Sequence, residues 1–226
     1  MSSDLSPITR FPGVYKSKRG RFMHYYVQAK SRKTFFDELV LRQGNNKYRE
    51  VDPTRSKLFA SIAKGISQLG IKEDSIVLYL GASHGYTVSF LSDMLTQGEI
   101  YALDFAPRVL RDLVFMCEVK ENILPIFADA KLVNTYKKIV PKVDIVFMDV
   151  AQRDQTGIFL NNCKTFLKPG GFGLLALKAR SVDVTKKPKD IFKTVRRDLE
   201  AVAAVVDYRE LDPYEEDHAF FVIKMK

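Results

Sequence analysis

Apolar and polar positions follow two rhythms along the chain, and the change comes near residue 50. Before it, short apolar groups alternate with basic ones at 11–15, 22–27 and 38–41, with turn signals at Gly13, Gly20 and Gly44-Asn45-Asn46. Such groups predict a small antiparallel β unit over residues 1–50. Leu58, Ile62, Ile66 and Leu69 then recur at helical spacing and predict one helix that ends at Gly70. From 75 onward strand and helix alternate. Strands are expected at 75–80, 99–103, 123–127, 143–148 and 173–177, and helices at 86–96, from Pro107, at 132–139, at 154–167 and from Pro188. Runs such as Val143-Asp144-Ile145-Val146-Phe147-Met148 are too short for ordinary helices and read as strands buried on both faces of a parallel sheet. Pro107 takes the favoured first helical position, with Val109, Leu110, Leu113 and Val114 expected inward. Lys168-Pro169-Gly170-Gly171 reads as a turn into the next strand. Segments 202–208 and 219–224 close the chain as an antiparallel hairpin on an otherwise parallel sheet. The expected architecture is an α/β domain over 51–226, preceded by the β unit.

Composition narrows the setting. No apolar run approaches the roughly 18 residues that span a bilayer, and the start, Met1-Ser2-Ser3-Asp4, lacks the basic-then-apolar plan of a signal peptide. A cytoplasmic protein is expected. Cys117 and Cys163 fall on amphipathic helices and read as reduced packing residues. The net charge of +9 is concentrated at the start: residues 1–50 hold 11 Lys or Arg against 4 Asp or Glu, or +7. Such a basic face attracts polyanions, of which nucleic acid is the commonest.

Candidate chemistry lies at strand ends, where open α/β sheets bind ligands. Asp149 ends one buried run and Lys178 another. The turn Gly81-Ala82-Ser83-His84-Gly85 offers close backbone approach and the free N–H groups of a helix start. It is not G-x-G-x-x-G, which argues against NAD and FAD. Asp104 ends the next strand, where an acid hydrogen-bonds the ribose of an adenosine-type cofactor. Asp129 ends the one after, placed to accept from an adenine amino group. A glycine turn followed by acids at successive strand ends points to a nucleoside cofactor, and the closing hairpin to an S-adenosylmethionine-dependent methyltransferase fold. No metal site is expected.

The sequence resembles the fibrillarin family in its archaeal form, which lacks the glycine–arginine-rich tail of the eukaryotic members. The resemblance rests on Tyr48-Arg49-Glu50-Val51-Asp52-Pro53, Arg55-Ser56-Lys57-Leu58, Tyr79-Leu80-Gly81-Ala82, Asp104-Phe105 with Pro107-Arg108, Asp149-Val150-Ala151-Gln152, Lys178-Ala179-Arg180-Ser181-Val182-Asp183-Val184, and Asp212-Pro213-Tyr214-Glu215 with Asp217-His218-Ala219. It implies a Rossmann-like S-adenosylmethionine-dependent methyltransferase fold, with a mostly parallel seven-stranded sheet, that 2′-O-methylates ribose in rRNA and tRNA. It implies a catalytic set of Lys57, Asp149, Lys178 and His218. The implied cofactor contacts are Gly81, Ala82, Tyr86, Thr87, Asp104, Phe105, Asp129, Ala130, Asp149 and Gln152. It also implies partners: a box C/D guide RNA with its target RNA, a Nop-domain scaffold protein, and a kink-turn-binding ribosomal-protein-like subunit. The chain departs from the family at His84 and Tyr86, where the loop usually carries Ser and Thr, and at Asp104, where glutamate is common.

A lysine is a base only when neutral. Burial beside a second cation such as Lys57 favours that form, whereas Asp149, read as orienting Lys178, favours the ammonium. Glu215, Glu216 and Asp217 are expected to favour a charged His218. Two rival readings stand beside this one: a methyltransferase for a nucleobase or a protein glutamine, and a non-catalytic RNA-binding subunit. With no Trp and no evident stacking platform, the free protein is expected to bind RNA weakly and salt-dependently.

Overall fold

A computed structural model describes residues 5–30 and 33–225; the reading of residues 1–4 lies outside them. Among the described residues no helix is long and apolar enough to cross a membrane. The N-terminal unit is a five-stranded antiparallel sheet of β1 (Ser6–Pro7), β2 (Val14–Arg19), β3 (Phe22–Gln28), β4 (Val40–Gln43) and β5 (Asn46–Val51), in the order β1-β2-β3-β5-β4. Gly20 and Gly44 make its tight hairpins at φ +61° and +58°.

The helix that follows, α1 (Lys57–Ala63), stops well short of Gly70. Gly65 adopts φ +79°, its N–H donates to Ile62 O (3.0 Å), and Ile66 N–H donates to Ser61 O (2.9 Å). This pair of bonds ends a helix by satisfying its last carbonyls. Ile66 and Leu69 still reach the core, but from an extended segment.

The second sheet has seven strands: β6 (Ile76–Leu80), β7 (Glu99–Asp104), β8 (Ile123–Phe127), β9 (Val143–Met148), β10 (Leu167–Lys178), β11 (Ala203–Glu210) and β12 (His218–Met225). Their order is β11-β12-β10-β9-β6-β7-β8. All neighbours are parallel except β12, which runs antiparallel to both β10 and β11. Alternation along the strands feeds two cores. Tyr79, Phe147, Phe220 and Val222 face α1, α2 (Tyr86–Met94), α3 (Pro107–Cys117) and the N-terminal sheet, whose Val14, Val27 and Val51 join the same cluster. Leu78, Leu80, Val146, Met148 and Phe221 face α4 (Gln155–Phe166) and α6 (Pro188–Glu200). Cys117 packs with the first cluster and Cys163 with the second; both are free thiols. Burial pushes the Cys117 thiol up to about 11, and that of Cys163 up as well, so neither is a reactive thiolate.

Three expectations change in detail. The helix at 132–139 is only a 3₁₀ turn, Val133–Thr135. Pro141 disfavours helix in the residue before it, and Tyr136 is held by its hydroxyl, which donates to Ala130 O (3.1 Å) and Asn162 Oδ1 (2.5 Å). On α3 the buried residues are Leu113 and Met116, whereas Val114 is 44% exposed. The helix is rotated so that Met116 fills the space beside the glycine turn. The 168–171 turn lies within β10, as an irregularity between the pairs Leu167↔Val143 and Phe172↔Ile145, with Gly170 at φ +79°.

Candidate active site

The strand order turns at β6, whose neighbours β7 and β9 lead the chain to opposite sides, and ligands bind at such a switch point. Three strand ends meet there. Gly81 and Ala82 N–H donate to Leu103 O (2.9 and 3.0 Å), and Asp149 N–H donates to Leu80 O (2.9 Å). Gly81 has φ +87°, and a Cβ added to it would collide with the Asp149 carbonyl oxygen and lie 2.8 Å from Val150 Cγ1. Only glycine fits, for reasons of both torsion and space. Asp104, buried at the end of β7, fixes the loop from the far side: its carboxylate accepts from Ser83 N (2.8 Å) and Ala106 N (2.9 Å). Each oxygen keeps lone-pair capacity for a ligand hydroxyl.

A cleft of about 620 Å³ opens over this turn, and Lys57, Gly81, Ala82, Tyr86, Thr87 and Asp149 line it. Ser56 caps α1 and so aims Lys57 inward from the helix's first position. Lys57 Nζ lies 3.2 Å from Asp149 Oδ1, 3.3 Å from Oδ2 and 3.8 Å from Glu215 Oε1. Burial disfavours its charge, but Asp149 and Glu215 outweigh burial and raise the Lys57 pKa, which keeps a fixed ammonium in the cleft. Burial and the Asp149 charge together push the Glu215 carboxyl up, against the pull of Lys57 and Lys178.

Asp149 thus engages Lys57 and not Lys178. Lys178 ends β10 as an exposed side chain, paired in register with His218 on β12. Among the described residues it forms no ion pair within 4 Å. Its backbone is fixed by a residue that the sequence did not single out: Lys178 N donates to Gln155 Oε1 (3.0 Å), and Gln155 Nε2 donates to Lys178 O (3.0 Å). Strand β9 stops at Met148, so the buried Gln155 amide stands in for the missing strand neighbour.

His218 reverses its expectation. Its side chain is buried, and Nδ1 donates to the Glu216 backbone carbonyl at 2.6 Å. Burial, with Lys57 and Lys178 nearby, lowers its pKa; the Glu216 carbonyl and Asp149 oppose this and lose. Glu216 contributes a carbonyl where a charge was expected. The neutral ring, protonated at Nδ1, leaves Nε2 as an acceptor. The sign for stability follows. The unfolded histidine takes its proton near 6.5, whereas the folded one resists, so stability is full above that pH and declines as pH falls toward the folded value. Urea unfolding at about pH 7.5 and about pH 5.5 is expected to show a smaller acid loss in His218→Gln than in the parent. Equal losses would refute the assignment.

The remaining candidates, Phe105, Asp129, Ala130 and Gln152, lie further along the same edge, outside the lining of this cleft. Phe105 is 58% exposed at the end of β7, Ala130 is buried after β8, and Gln152 follows β9. Gln152 Oε1 is buried with no hydrogen-bond partner among the described residues. A buried orphan acceptor, a cradle that a Cβ would fill, an open ring face and the uncapped N-terminus of α2 fit an adenosine cofactor lying along the edge. The two departures within the glycine loop have structural uses. Tyr86 turns toward Phe36 (5.1 Å) and Phe90 (5.2 Å), carries the Arg55 guanidinium over its ring (4.2 Å), and accepts from Asp52 N (3.0 Å). It therefore ties the N-terminal segment to the cleft wall. His84 Nδ1 lies 2.8 Å from Asp112 Oδ2 on α3.

Comparisons with known proteins agree with this geometry. An archaeal relative from Methanocaldococcus jannaschii, named fibrillarin-like rRNA/tRNA 2′-O-methyltransferase, is 47% identical over 191 residues, covering 84% of this chain and 83% of that one. A crystal structure of Aeropyrum pernix fibrillarin, described with natively bound S-adenosyl-L-methionine, superposes with a TM-score of 0.88 at 36% identity and covers 97% of each chain. A fibrillarin in complex with Nop5p superposes with a TM-score of 0.83 at 35% identity, over 90% of this chain and 94% of that one. The family model for fibrillarin matches residues 5–226, nearly the whole chain. With its sheet order, its glycine turn and its strand-end acids in the same frame, the chain belongs to the fibrillarin family.

Proposed function

We propose that this protein transfers a methyl group from S-adenosyl-L-methionine to a ribose 2′-hydroxyl of rRNA or tRNA, as the catalytic subunit of a box C/D guide ribonucleoprotein. The observation that carries the reading is the meeting of Lys57, Asp149, Lys178 and His218 at the switch point of a fibrillarin-family sheet. The relative's name supplies reaction and substrate, and the Aeropyrum pernix structure supplies the cofactor. The fibrillarin–Nop5p complex supports a Nop-domain scaffold as partner; the guide RNA and a kink-turn-binding subunit complete the assembly in this reading. Its setting is the cytoplasm of an archaeal cell. Residues 51–226 form the methyltransferase unit, and residues 1–50 a basic unit that also walls the cleft through Phe35 and Phe36.

When bound, S-adenosylmethionine supplies an electrophilic methyl group on a sulfonium. Gly81, Ala82 and Thr87 hold its amino-acid end, with Tyr86 supporting that wall. Asp104 takes the ribose, and Phe105, Asp129, Ala130 and Gln152 enclose the adenine. The chain's own task at the substrate is to align the 2′-oxygen and to manage a poorly acidic proton. Asp149 and Lys57 neutralise one another and fix the floor of the cleft. Lys178 presents an ammonium to the oxygen as negative charge develops on it. His218 Nε2, kept unprotonated by burial, accepts the proton.

The deciding experiment is methylation of a matched target in the reconstituted guide complex, mapped to one nucleotide. Incorporation at a single ribose 2′-oxygen is expected. Methyl transfer to a base or to a protein glutamine, or no transfer by a chain that binds the cofactor, would overturn the reading.

A further inference from the structure

The hairpin of β2 and β3 is longer than the sheet that carries it. Strand β1 pairs with β2 only at Tyr15 and Lys16, and β5 pairs with β3 only from Tyr25 to Gln28. Beyond those limits Ser17↔His24, Lys18↔Met23 and Arg19↔Phe22 pair with one another alone. Ser17 is still buried and His24 Nδ1 lies 2.5 Å from Glu50 Oε1, so the last two pairs and the turn form a short ribbon of roughly 7 Å that projects beyond the sheet, at about 3.4 Å per residue. An apolar ribbon there would be an aggregation edge, but this one ends in charge. Lys16, Lys18 and Arg21 are exposed and form no ion pair among the described residues. Other cations of the same segment are engaged: Arg49 with Glu38 and Asp93, and Lys30 with the Leu95 carbonyl. Three of the cations of residues 1–50 without an ion pair among the described residues thus cluster on this ribbon.

The ribbon also has an orientation. Residues paired across a strand share a face, so Lys16, Lys18, Met23 and Tyr25 lie on the same side as Val14, Val27 and Val51, the side that enters the core. Tyr25 is the last of them to be buried, and Tyr214 packs into the same cluster and raises the Tyr25 hydroxyl after burial has done so. The residue after Tyr214 is Glu215, which reaches Lys57. The cationic side of the ribbon therefore leaves the body beside the loop that carries Glu215, the partner of Lys57 in the cleft.

We propose that this ribbon is a binding site for the sugar–phosphate backbone of the RNA, with Lys16, Lys18 and Arg21 as phosphate contacts that hold the strand alongside the cleft. The proposal rests on the reading that the substrate is RNA. Phosphate contacts position a nucleic acid without reading its sequence, which is the work needed where base pairing selects the target. Phe22, 74% exposed, and Met23, 41% exposed, flank these cations and give the tip an apolar component that can lie against a sugar or a base.

The test uses the full chain carrying Lys16→Ala, Lys18→Ala and Arg21→Ala together. All three side chains are exposed and lie outside both hydrophobic clusters, so an unchanged thermal melt and unchanged S-adenosylmethionine affinity serve as controls for folding. The probe is an A-form RNA duplex of arbitrary sequence, titrated over a salt series. The triple variant is expected to bind about tenfold or more weakly at low salt, with a plot of log affinity against log salt flatter by roughly 0.7 to 0.9 per lost phosphate contact. Affinity and slope equal to the parent's, with the controls intact, would overturn the proposal. So would normal RNA binding combined with loss of scaffold binding, since the ribbon would then be a protein-docking surface. Neither result would touch the methyltransferase reading, which fails only if the parent places no methyl group on a ribose.

Discussion

Lys178→Ala is expected to lower guided ribose methylation by roughly 10²- to 10⁴-fold while leaving S-adenosylmethionine affinity unchanged. The split follows from position. Lys178 is the last residue of β10, outside the lining of the cleft that holds the glycine turn, and its exposed side chain forms no ion pair within 4 Å among the described residues. The buried His218 beside it, whose pKa burial lowers, already offers an acceptor. A charge that stabilises the forming alkoxide is therefore the role to test. Lys178→Arg separates the two chemistries, because guanidinium keeps the charge and cannot act as a base. Arginine is expected to retain a measurable part of the rate, and an arginine variant as inactive as alanine would assign the base to Lys178. Undiminished methylation by the alanine variant, with the cofactor bound, would remove Lys178 from the mechanism.

The largest effect on stability is expected from Arg49→Ala, at about 3–5 kcal/mol. Arg49 lies on β5, is 1% exposed, and reaches across the interface to α2. Its Nε donates to Glu38 Oε1 (2.6 Å), its Nη1 to Asp93 Oδ2 (2.7 Å) and Ser89 O (3.2 Å), and its Nη2 to Ser89 Oγ (3.0 Å). The guanidinium also lies 4.1 Å from the centre of the Phe90 ring. Removing it strands the Glu38 carboxylate and takes from Asp93 one of its two charged partners, the other being Lys120. Burial raises the Glu38 pKa and Arg49 outweighs it, so the carboxyl lies below its usual range and the pair's stabilisation is lost as pH falls through that depressed value. In the alanine variant burial is opposed only by backbone N–H donors, among them Phe36 N (2.9 Å). Denaturant melts are expected to show the full loss near neutral pH and a narrowing gap in acid, where the stranded carboxyl is protonated. A loss below about 1 kcal/mol at neutral pH would show that the network is not the fastening between the N-terminal sheet and α2.

Much of the methyltransferase unit was legible in the chain because its central strands are buried on both faces. Runs such as Val143-Asp144-Ile145-Val146-Phe147-Met148 have one structural use, and the strand starts and ends fell within a residue or two of expectation, except that β10 begins at Leu167, six residues before the expected 173. Gly81 was legible too, since a turn that must admit the Asp149 carbonyl tolerates no Cβ. Errors came where local pattern met tertiary demand. Leu58, Ile62, Ile66 and Leu69 share a helical period, yet Gly65 ends the helix and the last two reach the core by another path. Val114 fits the apolar stripe of α3, but the space beside the glycine turn takes Met116.

By itself the sequence determined the α/β rhythm, the glycine turn, the acids at strand ends and the resemblance to fibrillarins, because each depends on residues close together in the chain. Only the tertiary structure decided who pairs with whom. Asp149 meets Lys57 across 92 positions of sequence, Gln155 replaces a strand neighbour for Lys178, and the His218 pKa is lowered because burial outweighs the Glu216 carbonyl and Asp149. Pair distances and desolvation depend on packing between distant segments, and no local pattern encodes them.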